Sequence, residues 1–196
     1  MKNTLTLNND RFAVYLSEEK IQARVKRLAK AISKDYAGKV PIFIGVLNGS
    51  FIFMADLIRY MTVDCEIDFL KLSSYGDAKI SSGNVRLLKE LNCQVTDRDI
   101  IVVEDIVDSG LSIDFMRKLI LKEHPRSLKV VSLLFKKDAL KIDVAVDYVG
   151  FIIPSYFVIG YGLDYAQKVR NLRSIYKLVD ERTASKNGDR YGREQA

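Results

Sequence analysis

The stretch from Ile100 to Ser112 contains the residues whose types and spacing are best suited to chemistry. An apolar run ends at Val103 and leads into the carboxylates Glu104, Asp105 and Asp108, which are followed by a small hydroxyl-rich turn, Asp-Ser-Gly-Leu-Ser. Helix amino-termini present unpaired N–H groups to phosphate, and carboxylate oxygens suit Mg²⁺. The pattern therefore predicts a cation and a phosphate bound side by side, with a solvated acidic turn as the alternative interpretation.

Three further segments follow predicted strands or form a shaped loop. Residues 47–50 (Leu-Asn-Gly-Ser) follow one strand, and Lys136-Lys137-Asp138 follow another. Residues 160–165 (Gly-Tyr-Gly-Leu-Asp-Tyr), with Arg170 just beyond, contain two glycines and have no helical period. Because ligands of open α/β sheets bind outside the carboxyl ends of the strands, these segments predict one site at that edge.

The elements that must position these residues alternate along the chain. Ser17 is a suitable N-cap for a helix that ends near Gly38, and helices are also predicted over 51–61 and from Ile113 to His124. This alternation predicts a parallel sheet with helices on both faces. Residues 73–84 predict a mobile loop. Predicted strands cover residues 40–47, 64–72, 85–91, 100–104, 128–135, 148–153, 157–159 and 174–179.

Composition excludes several classes of protein. The chain has 196 residues, of which 48% are hydrophobic and 29% charged, a globular profile. The net charge of +6 includes six basic residues within 17–36, which we interpret as a solvated helix face and not as a nucleic-acid site. Cys65 and Cys93 predict neither a disulfide framework nor a zinc site. Without a signal peptide or a long apolar run, we expect a cytoplasmic protein with no membrane partner. The polar stretch 181–196 predicts a disordered tail.

Four motifs carry a family resemblance. Residues 102–110 (Val-Val-Glu-Asp-Ile-Val-Asp-Ser-Gly) resemble the phosphoribosyl-pyrophosphate (PRPP) motif of type I phosphoribosyltransferases. Residues 45–51, 72–76 and 149–165 resemble hypoxanthine (hypoxanthine-guanine) phosphoribosyltransferases, in order and with compatible spacing. The resemblance implies an α/β fold with a central parallel sheet flanked by helices, a small hood subdomain and a mobile lid loop. It implies a single domain over 1–180, with the hood built from the N-terminal segment and residues about 148–179.

The family reaction implies roles for the acidic motif. PRPP would donate its phosphoribosyl group to N9 of hypoxanthine, and of guanine as well, giving IMP or GMP and pyrophosphate. Glu104 and Asp105 would engage the ribose hydroxyls and Mg²⁺, and Asp108 would be the general acid/base near N7 of the purine. An N-cap is the alternative role for Asp108. The 5′-phosphate would be bound by Asp108, Ser109, Gly110, Leu111 and Ser112.

The base and pyrophosphate subsites follow from the other motifs. Lys136 would donate to O6 of the base, Phe157 would stack on the purine, and Val158 would offer main-chain groups to the base edge. Asp164 would bind beside the purine and hold a second Mg²⁺ through water. Leu47, Asn48, Gly49 and Arg170 would bind pyrophosphate. Lys136 as a surface lysine, Phe157 as a core residue and Arg170 as an ordinary surface pair remain alternatives.

The resemblance also implies a lid and an assembly, and two alternative functions remain open. The family often has a non-proline cis peptide at the Leu47–Asn48 bond, and some members carry a basic residue where Asn48 stands. Ser74 and Tyr75 would close over the reactants. A homodimer or homotetramer is expected, with the helix 51–61 as a candidate interface and core packing of that helix as an equal alternative. The alternatives are a PRPP-sensing regulator that binds nucleic acid and a phospho-acceptor signalling domain with an acidic pocket.

Overall fold

The chain forms two β-sheets and three α-helices in the parts described by the computed structural model, residues 3–75 and 84–179. A short 3₁₀ turn is also present at Lys137–Ala139. The helices are α1 (Glu18–Asp35), α2 (Phe51–Arg59) and α3 (Leu111–Leu121). The strands are β1 (Thr4–Leu7), β2 (Asp10–Leu16), β3 (Ile42–Leu47), β4 (Glu66–Tyr75), β5 (Asn84–Lys89), β6 (Asp99–Val107), β7 (Ser127–Phe135), β8 (Tyr148–Ile152), β9 (Val158–Ile159) and β10 (Ile175–Leu178).

The larger sheet has six strands in the order β5-β4-β3-β6-β7-β8. The pairs β4–β3, β3–β6, β6–β7 and β7–β8 are parallel. At the edge of the sheet, β5 pairs antiparallel with β4. The predicted α/β architecture with a central parallel sheet is therefore confirmed. Parallel pairing puts the carboxyl ends of β3, β6 and β7 at the same edge.

Helices cover both faces of this sheet, as predicted. Alternate strand residues point to opposite faces, so Phe43 packs in one hydrophobic cluster with α1 and α2, whereas Ile42 and Ile44 pack in another with α3. Both clusters are formed by fully buried aliphatic and aromatic side chains. The two cores hold the strand ends at fixed positions and so support the loops that follow them.

The helix boundaries agree closely with the sequence signals. Ser17 is the N-cap of α1, and its hydroxyl accepts a hydrogen bond from the Lys20 N–H at 3.4 Å. Ile21, Val25, Leu28 and Ile32 form its buried stripe. α3 ends three residues before the predicted stop at His124. Periodicity and caps were therefore sufficient to locate these helices.

The smaller sheet was only partly predicted. Its order is β1-β2-β10-β9, and the sequence prediction had no strands in residues 4–16. β8 belongs to the larger sheet, so the smaller sheet takes only β9 and β10 from residues 148–179. Its core joins Phe12 to Ile159 and Tyr176, which are distant in the chain.

Two predicted segments fall largely outside the described residues. Residues 73–75 and Asn84, which were predicted to belong to a loop, instead end β4 and begin β5. Residues 76–83, the remainder of the predicted lid, and the tail 181–196 lie outside the described parts of the chain. Within residues 3–75 and 84–179, no helix combines the length and apolar character needed to cross a bilayer.

Candidate functional site

The candidate site lies at the carboxyl edge of the larger sheet. β6 is longer than the predicted strand 100–104 and extends to Val107, so Asp105 also lies within the strand and not after it. Val107 pairs with Phe135, the last residue of β7, which brings Asp108 and Lys136 next to each other beyond the strand ends. β3, on the other side of β6, ends at Leu47.

Glu104 is a buried acidic group, and Asp105 next to it is partly buried. Burial, together with the neighbouring charge of Asp105, raises the pKa of Glu104 well above its ordinary value. Burial also raises the pKa of Asp105 to about 6, although the Ile106 N–H, which donates to Asp105 Oδ1 at 2.9 Å, and the nearby Arg170 oppose this rise. A positive ligand would relieve this unfavourable burial of charge.

The donor set fits a hard cation with open coordination positions. Within residues 3–75 and 84–179, neither Glu104 nor Asp105 forms an ion pair. The same parts of the chain contain no group of three or more His, Cys, Asp or Glu side chains positioned for a metal. Mg²⁺ commonly takes one or two carboxylates and completes its shell with water and substrate phosphates. Two adjacent carboxylates match that requirement.

The turn after β6 is shaped as a cradle. Gly110 is the N-cap of α3 with φ of 82°, a left-handed conformation that glycine adopts readily. Ser109 Oγ accepts from the Leu111 N–H at 3.4 Å, and Ser109 O accepts from the Lys141 N–H at 2.9 Å. A cavity of about 80 Å³ lies over this turn, lined by Glu104, Ile106, Val107, Asp108, Ser109, Gly110, Ser112 and Ile113.

Asp108 and Lys136 form an ion pair beside this cradle. Lys136 Nζ donates to Asp108 Oδ2 at 2.8 Å, and the lysine side chain is only 12% exposed whereas the aspartate is 54% exposed. The alternative role of Asp108 as the N-cap of α3 is wrong, because Gly110 occupies that position. Lys136 is also not the freely solvated lysine of the alternative interpretation. The two residues present one cationic and one anionic group side by side.

The loop after β3 contacts the acidic pair. The Leu47–Asn48 peptide bond is cis. A Cβ atom at Gly49 would overlap Asp105 Oδ2, so only glycine allows this approach between the loop and the carboxylate. Ser50 Oγ donates to Val46 O at 2.7 Å and closes the turn into α2. The segments 47–49 and 104–105, which the sequence analysis assigned to one site, are therefore in direct contact.

The loop that contains Asp164 and Arg170 lies against the same segment. Arg170 Nη1 donates to Gly162 O at 2.8 Å, and Arg170 Nη2 lies 2.8 Å from Asp164 Oδ1. Asp164 Oδ2 accepts from the Gln167 N–H at 2.9 Å. Arg170 and Asp164 thus form a partly buried ion pair, and the charges of both residues influence the pKa of Asp105.

Phe157 provides an exposed aromatic face. Its side chain belongs to the exposed large apolar residues, at 49%, so it is not the core phenylalanine of the alternative interpretation. Its ring centroid lies 6.2 Å from that of Phe12 and 6.1 Å from that of Tyr165, and these contacts hold the ring in place. Val158, in β9, is buried. Ser74 and Tyr75 are at the end of β4, next to residues outside the described range.

Sequence reasoning missed three residues behind the site. Tyr161 donates to Asp56, and Gln22 donates to the same carboxylate oxygen. Nothing in the sequence indicated a contact between residues 105 positions apart. A charged Asp56 within the apolar run 51–58 was a signal that this side chain has a polar partner, without indicating which one.

The chain is similar to a family model, to known proteins and to solved structures. The family model described as phosphoribosyl transferase domain matches residues 14–166. A hypoxanthine-guanine phosphoribosyltransferase of Bacillus subtilis is 44% identical over 169 residues, which are 86% of this chain and 94% of that protein. A crystal structure of a hypoxanthine-guanine phosphoribosyltransferase from Bacillus anthracis superposes with a TM-score of 0.81 at 44% identity, covering 85% of this chain and 98% of that one. A hypoxanthine phosphoribosyltransferase of Staphylococcus aureus superposes with a TM-score of 0.82 at 39% identity, covering 86% and 91%.

Proposed function

The chain belongs to the phosphoribosyltransferase family, and we propose that it transfers the phosphoribosyl group of PRPP to N9 of hypoxanthine, and also of guanine, in purine salvage. The products are IMP or GMP and pyrophosphate. One observation carries this proposal: the Lys136–Asp108 pair lies directly beside the phosphate cradle of residues 108–112 and the buried carboxylates of β6. If the phosphate of a sugar phosphate is bound in this cradle, C1′ of the sugar comes close to Lys136 and Asp108, which are suited to bind a purine.

The donor binds along the acidic edge. Asp108, Ser109, Gly110, Leu111 and Ser112 bind the 5′-phosphate through N–H and hydroxyl groups. Glu104 and Asp105 bind the ribose hydroxyls, and their negative charge stabilises the positive charge that develops on the sugar as pyrophosphate departs. Leu47, Asn48 and Gly49 bind pyrophosphate mainly through the backbone, assisted by Arg170.

The acceptor binds between Phe157 and the ion pair. Phe157 stacks on the purine, Val158 offers main-chain groups to its edge, and Asp164 lies close by. Lys136 donates to O6, which favours 6-oxopurines because the amino group of adenine would leave the ammonium group without an acceptor. As the bond from N9 to C1′ forms and the bond from C1′ to the pyrophosphate oxygen breaks, the N7 proton passes to Asp108.

A Mg²⁺ requirement is part of the proposal. Glu104 and Asp105 are suited to hold the ion at the ribose, and Asp164 is suited to hold a second one through water. When bound, Mg²⁺ neutralises charge on the departing pyrophosphate. The raised pKa values of Glu104, which is buried, and of Asp105, which is partly buried, support this assignment.

The proposal extends to the lid, the domain and the assembly. Ser74 and Tyr75 close over the reactants, since a cationic sugar exposed to water would be hydrolysed. Residues 1–180 form one domain whose hood contains the smaller sheet. The protein works in the cytoplasm as a homodimer or homotetramer, with Phe51 and Tyr60, both exposed on or beside α2, as candidate interface residues.

The decisive experiment is a nucleotide-formation assay. Purified protein is mixed with PRPP and Mg²⁺ and with hypoxanthine, guanine, xanthine or adenine in separate reactions. We expect IMP and GMP to form and adenine to be used poorly, and we expect a chelator to stop turnover that added Mg²⁺ restores. An absence of turnover with every base would contradict the enzyme function and would favour a PRPP-binding regulator.

A further inference from the structure

A partly buried hydrogen-bond network lies behind the loops proposed to bind pyrophosphate. The Tyr161 hydroxyl, on a side chain 3% exposed, donates to Asp56 Oδ2 at 2.6 Å. Gln22 Nε2 of α1 donates to the same oxygen at 2.5 Å, and the Tyr60 hydroxyl donates to Gln22 Oε1 at 3.3 Å. Burial raises the pKa of Tyr161, as does Asp56, so the hydroxyl remains a donor at neutral pH.

Tyr161 belongs to a loop whose conformation requires external support. Gly160, Tyr161 and Gly162 have φ values of 93°, 52° and 99°. A left-handed conformation is unfavourable for a residue with a Cβ atom, so Tyr161 adopts it only where tertiary contacts stabilise it. The hydrogen bond to Asp56 is such a contact, and it fastens the loop to α2.

The same loop touches the proposed pyrophosphate segment directly. A Cβ atom at Gly162 would overlap the carbonyl oxygen of Gly49, so the two backbones are in close contact. Gly162 O also accepts from Arg170, and Gly49 in turn packs against the Asp105 carboxylate. A continuous line of contacts therefore runs from Asp56 through Tyr161, Gly162 and Gly49 to the acidic pair.

We propose that Tyr161 and Asp56 are positioning residues that set the separation between the 47–49 loop and the 160–170 loop, and so determine the affinity for the pyrophosphate end of the donor. This inference rests on the proposed function and deepens it. Asp56 lies in α2, which begins at Phe51, two residues after Gly49. Tyr161 is adjacent to Gly162. The hydrogen bond thus joins both loops through rigid connections. Neither side chain needs to touch the substrate.

The test is the kinetic behaviour of Tyr161→Phe, which removes only the hydroxyl group. We expect KM for PRPP in the forward reaction, and KM for pyrophosphate in the reverse reaction, to rise about three- to tenfold, the effect of one lost hydrogen bond. KM for hypoxanthine and kcat should change less than about twofold, because Phe157, Lys136 and Asp108 keep their positions. Asp56→Asn, whose side chain can still accept from Tyr161, should retain near-normal KM values, whereas Asp56→Leu should resemble Tyr161→Phe.

Tyr148→Phe is the matched control. The Tyr148 hydroxyl donates to Asp35 Oδ2 at 2.6 Å, but Tyr148 begins β8 at the opposite edge of the sheet. Tyr148→Phe should lose about as much free energy of unfolding as Tyr161→Phe, while its KM values for PRPP, pyrophosphate and hypoxanthine stay unchanged. Unaltered KM values for PRPP and pyrophosphate in Tyr161→Phe, or equal increases for the purine and the donor, would overturn the positioning role. A wild-type protein that forms no nucleotide would instead overturn the proposed function, and the inference with it.

Discussion

The ammonium group of Lys136 lies 2.8 Å from the carboxylate of Asp108, which joins the residue assigned to base selection to the residue assigned to proton transfer. In a free 6-oxopurine base that carries its proton on N7, O6 accepts and N7–H donates on the same edge of the ring. A pair of side chains at hydrogen-bonding distance from each other can therefore address both atoms of one base. In the free protein each group satisfies the other.

Replacing Asp108 by asparagine keeps the shape of the side chain but removes the group that accepts the N7 proton. We expect kcat to fall by about 10²-fold or more. PRPP binding, measured by calorimetry, should remain close to that of the unmodified protein, because the cradle is formed largely by backbone groups. Loss of PRPP binding would instead show that the Asp108 side chain is needed to hold the donor and would contradict its assignment to proton transfer.

Replacing Lys136 by methionine should remove the donor to O6. We expect KM for hypoxanthine to rise by about tenfold or more, since hydrogen bonds from charged groups contribute about 1.5–3 kcal/mol. The preference for hypoxanthine over adenine should fall in parallel. Lys137→Met is the control, because Lys137 is the next residue and is exposed. Equal effects of the two changes on KM would exclude a specific contact of Lys136 with the base.

Gly49→Ala should damage the site without unfolding the protein. The added methyl group would overlap the Asp105 carboxylate, and a shift of about 1 Å there can reduce kcat/KM for PRPP by about 10²-fold. Gly38→Ala provides the comparison, because Gly38 has φ of 76° with open space around it. That change should cost about 1 kcal/mol of the free energy of unfolding and leave kcat/KM unchanged. Normal activity in Gly49→Ala would show that the Asp105 carboxylate can move freely.

Phe157→Ala tests stacking on the base. Stacking on an aromatic side chain is worth about 1–3 kcal/mol per base, so KM for hypoxanthine should rise at least about fivefold while KM for PRPP is little affected. Phe157→Tyr should preserve the wild-type KM. Phe12→Ala, which empties a fully buried position behind Phe157, should instead lower the free energy of unfolding by about 3–5 kcal/mol. An unchanged KM for hypoxanthine in Phe157→Ala would remove this residue from the base subsite.

The Asp68 carboxylate should make the free energy of unfolding fall in acid. Burial alone would raise the pKa of Asp68, but N–H donations from Cys93, Phe69 and Asn92 outweigh it and lower the pKa to about 2. Because the folded pKa lies below the ordinary value of 3.8, this carboxylate stabilises the fold above about pH 4. That stabilisation, about 2 kcal/mol, is lost as pH falls from about 4 to 2.

Urea denaturation of the wild type and of Asp68→Asn between pH 2 and pH 7 measures this contribution. The difference in the free energy of unfolding between the two proteins should be largest near neutral pH and should shrink toward pH 2. A difference that stays constant over this range would show that the Asp68 carboxylate has the same pKa in the folded and unfolded chains.

The sequence was informative where local patterns decide structure. Apolar periodicity located α1, α2 and α3, and the acidic run ending at Asp108 marked the edge of the sheet that holds the candidate site. The hairpin of β1 and β2 was missed although a signal exists. Asn8 and Asn9 have φ values of 47° and 71°, a turn that asparagine tolerates between alternating strands. Thr4–Leu7 alternates as such a strand should.

Contacts between distant residues could not be read from the sequence. The Lys136–Asp108 pair depends on the parallel register that sets Val107 opposite Phe135, and register is a property of the whole sheet. The extent of β6 was underestimated because polar residues normally end a buried strand, whereas here Glu104 is buried within it. The hydrogen bond from Tyr161 to Asp56 likewise required the packing of a loop on a helix.

The smaller sheet imposes an order on assembly during synthesis. β2 ends at Leu16, but its partner β10 begins only at Ile175. At about 5–20 residues per second, a ribosome needs roughly 8–30 s to make the intervening chain. Phe12, whose neighbours in the folded chain include Ile159 and Tyr176, cannot complete its packing before those residues are made. In the nascent chain, the hairpin of β1 and β2 is therefore expected to bind chaperones. Slower translation should lengthen the time for which Phe12 is exposed.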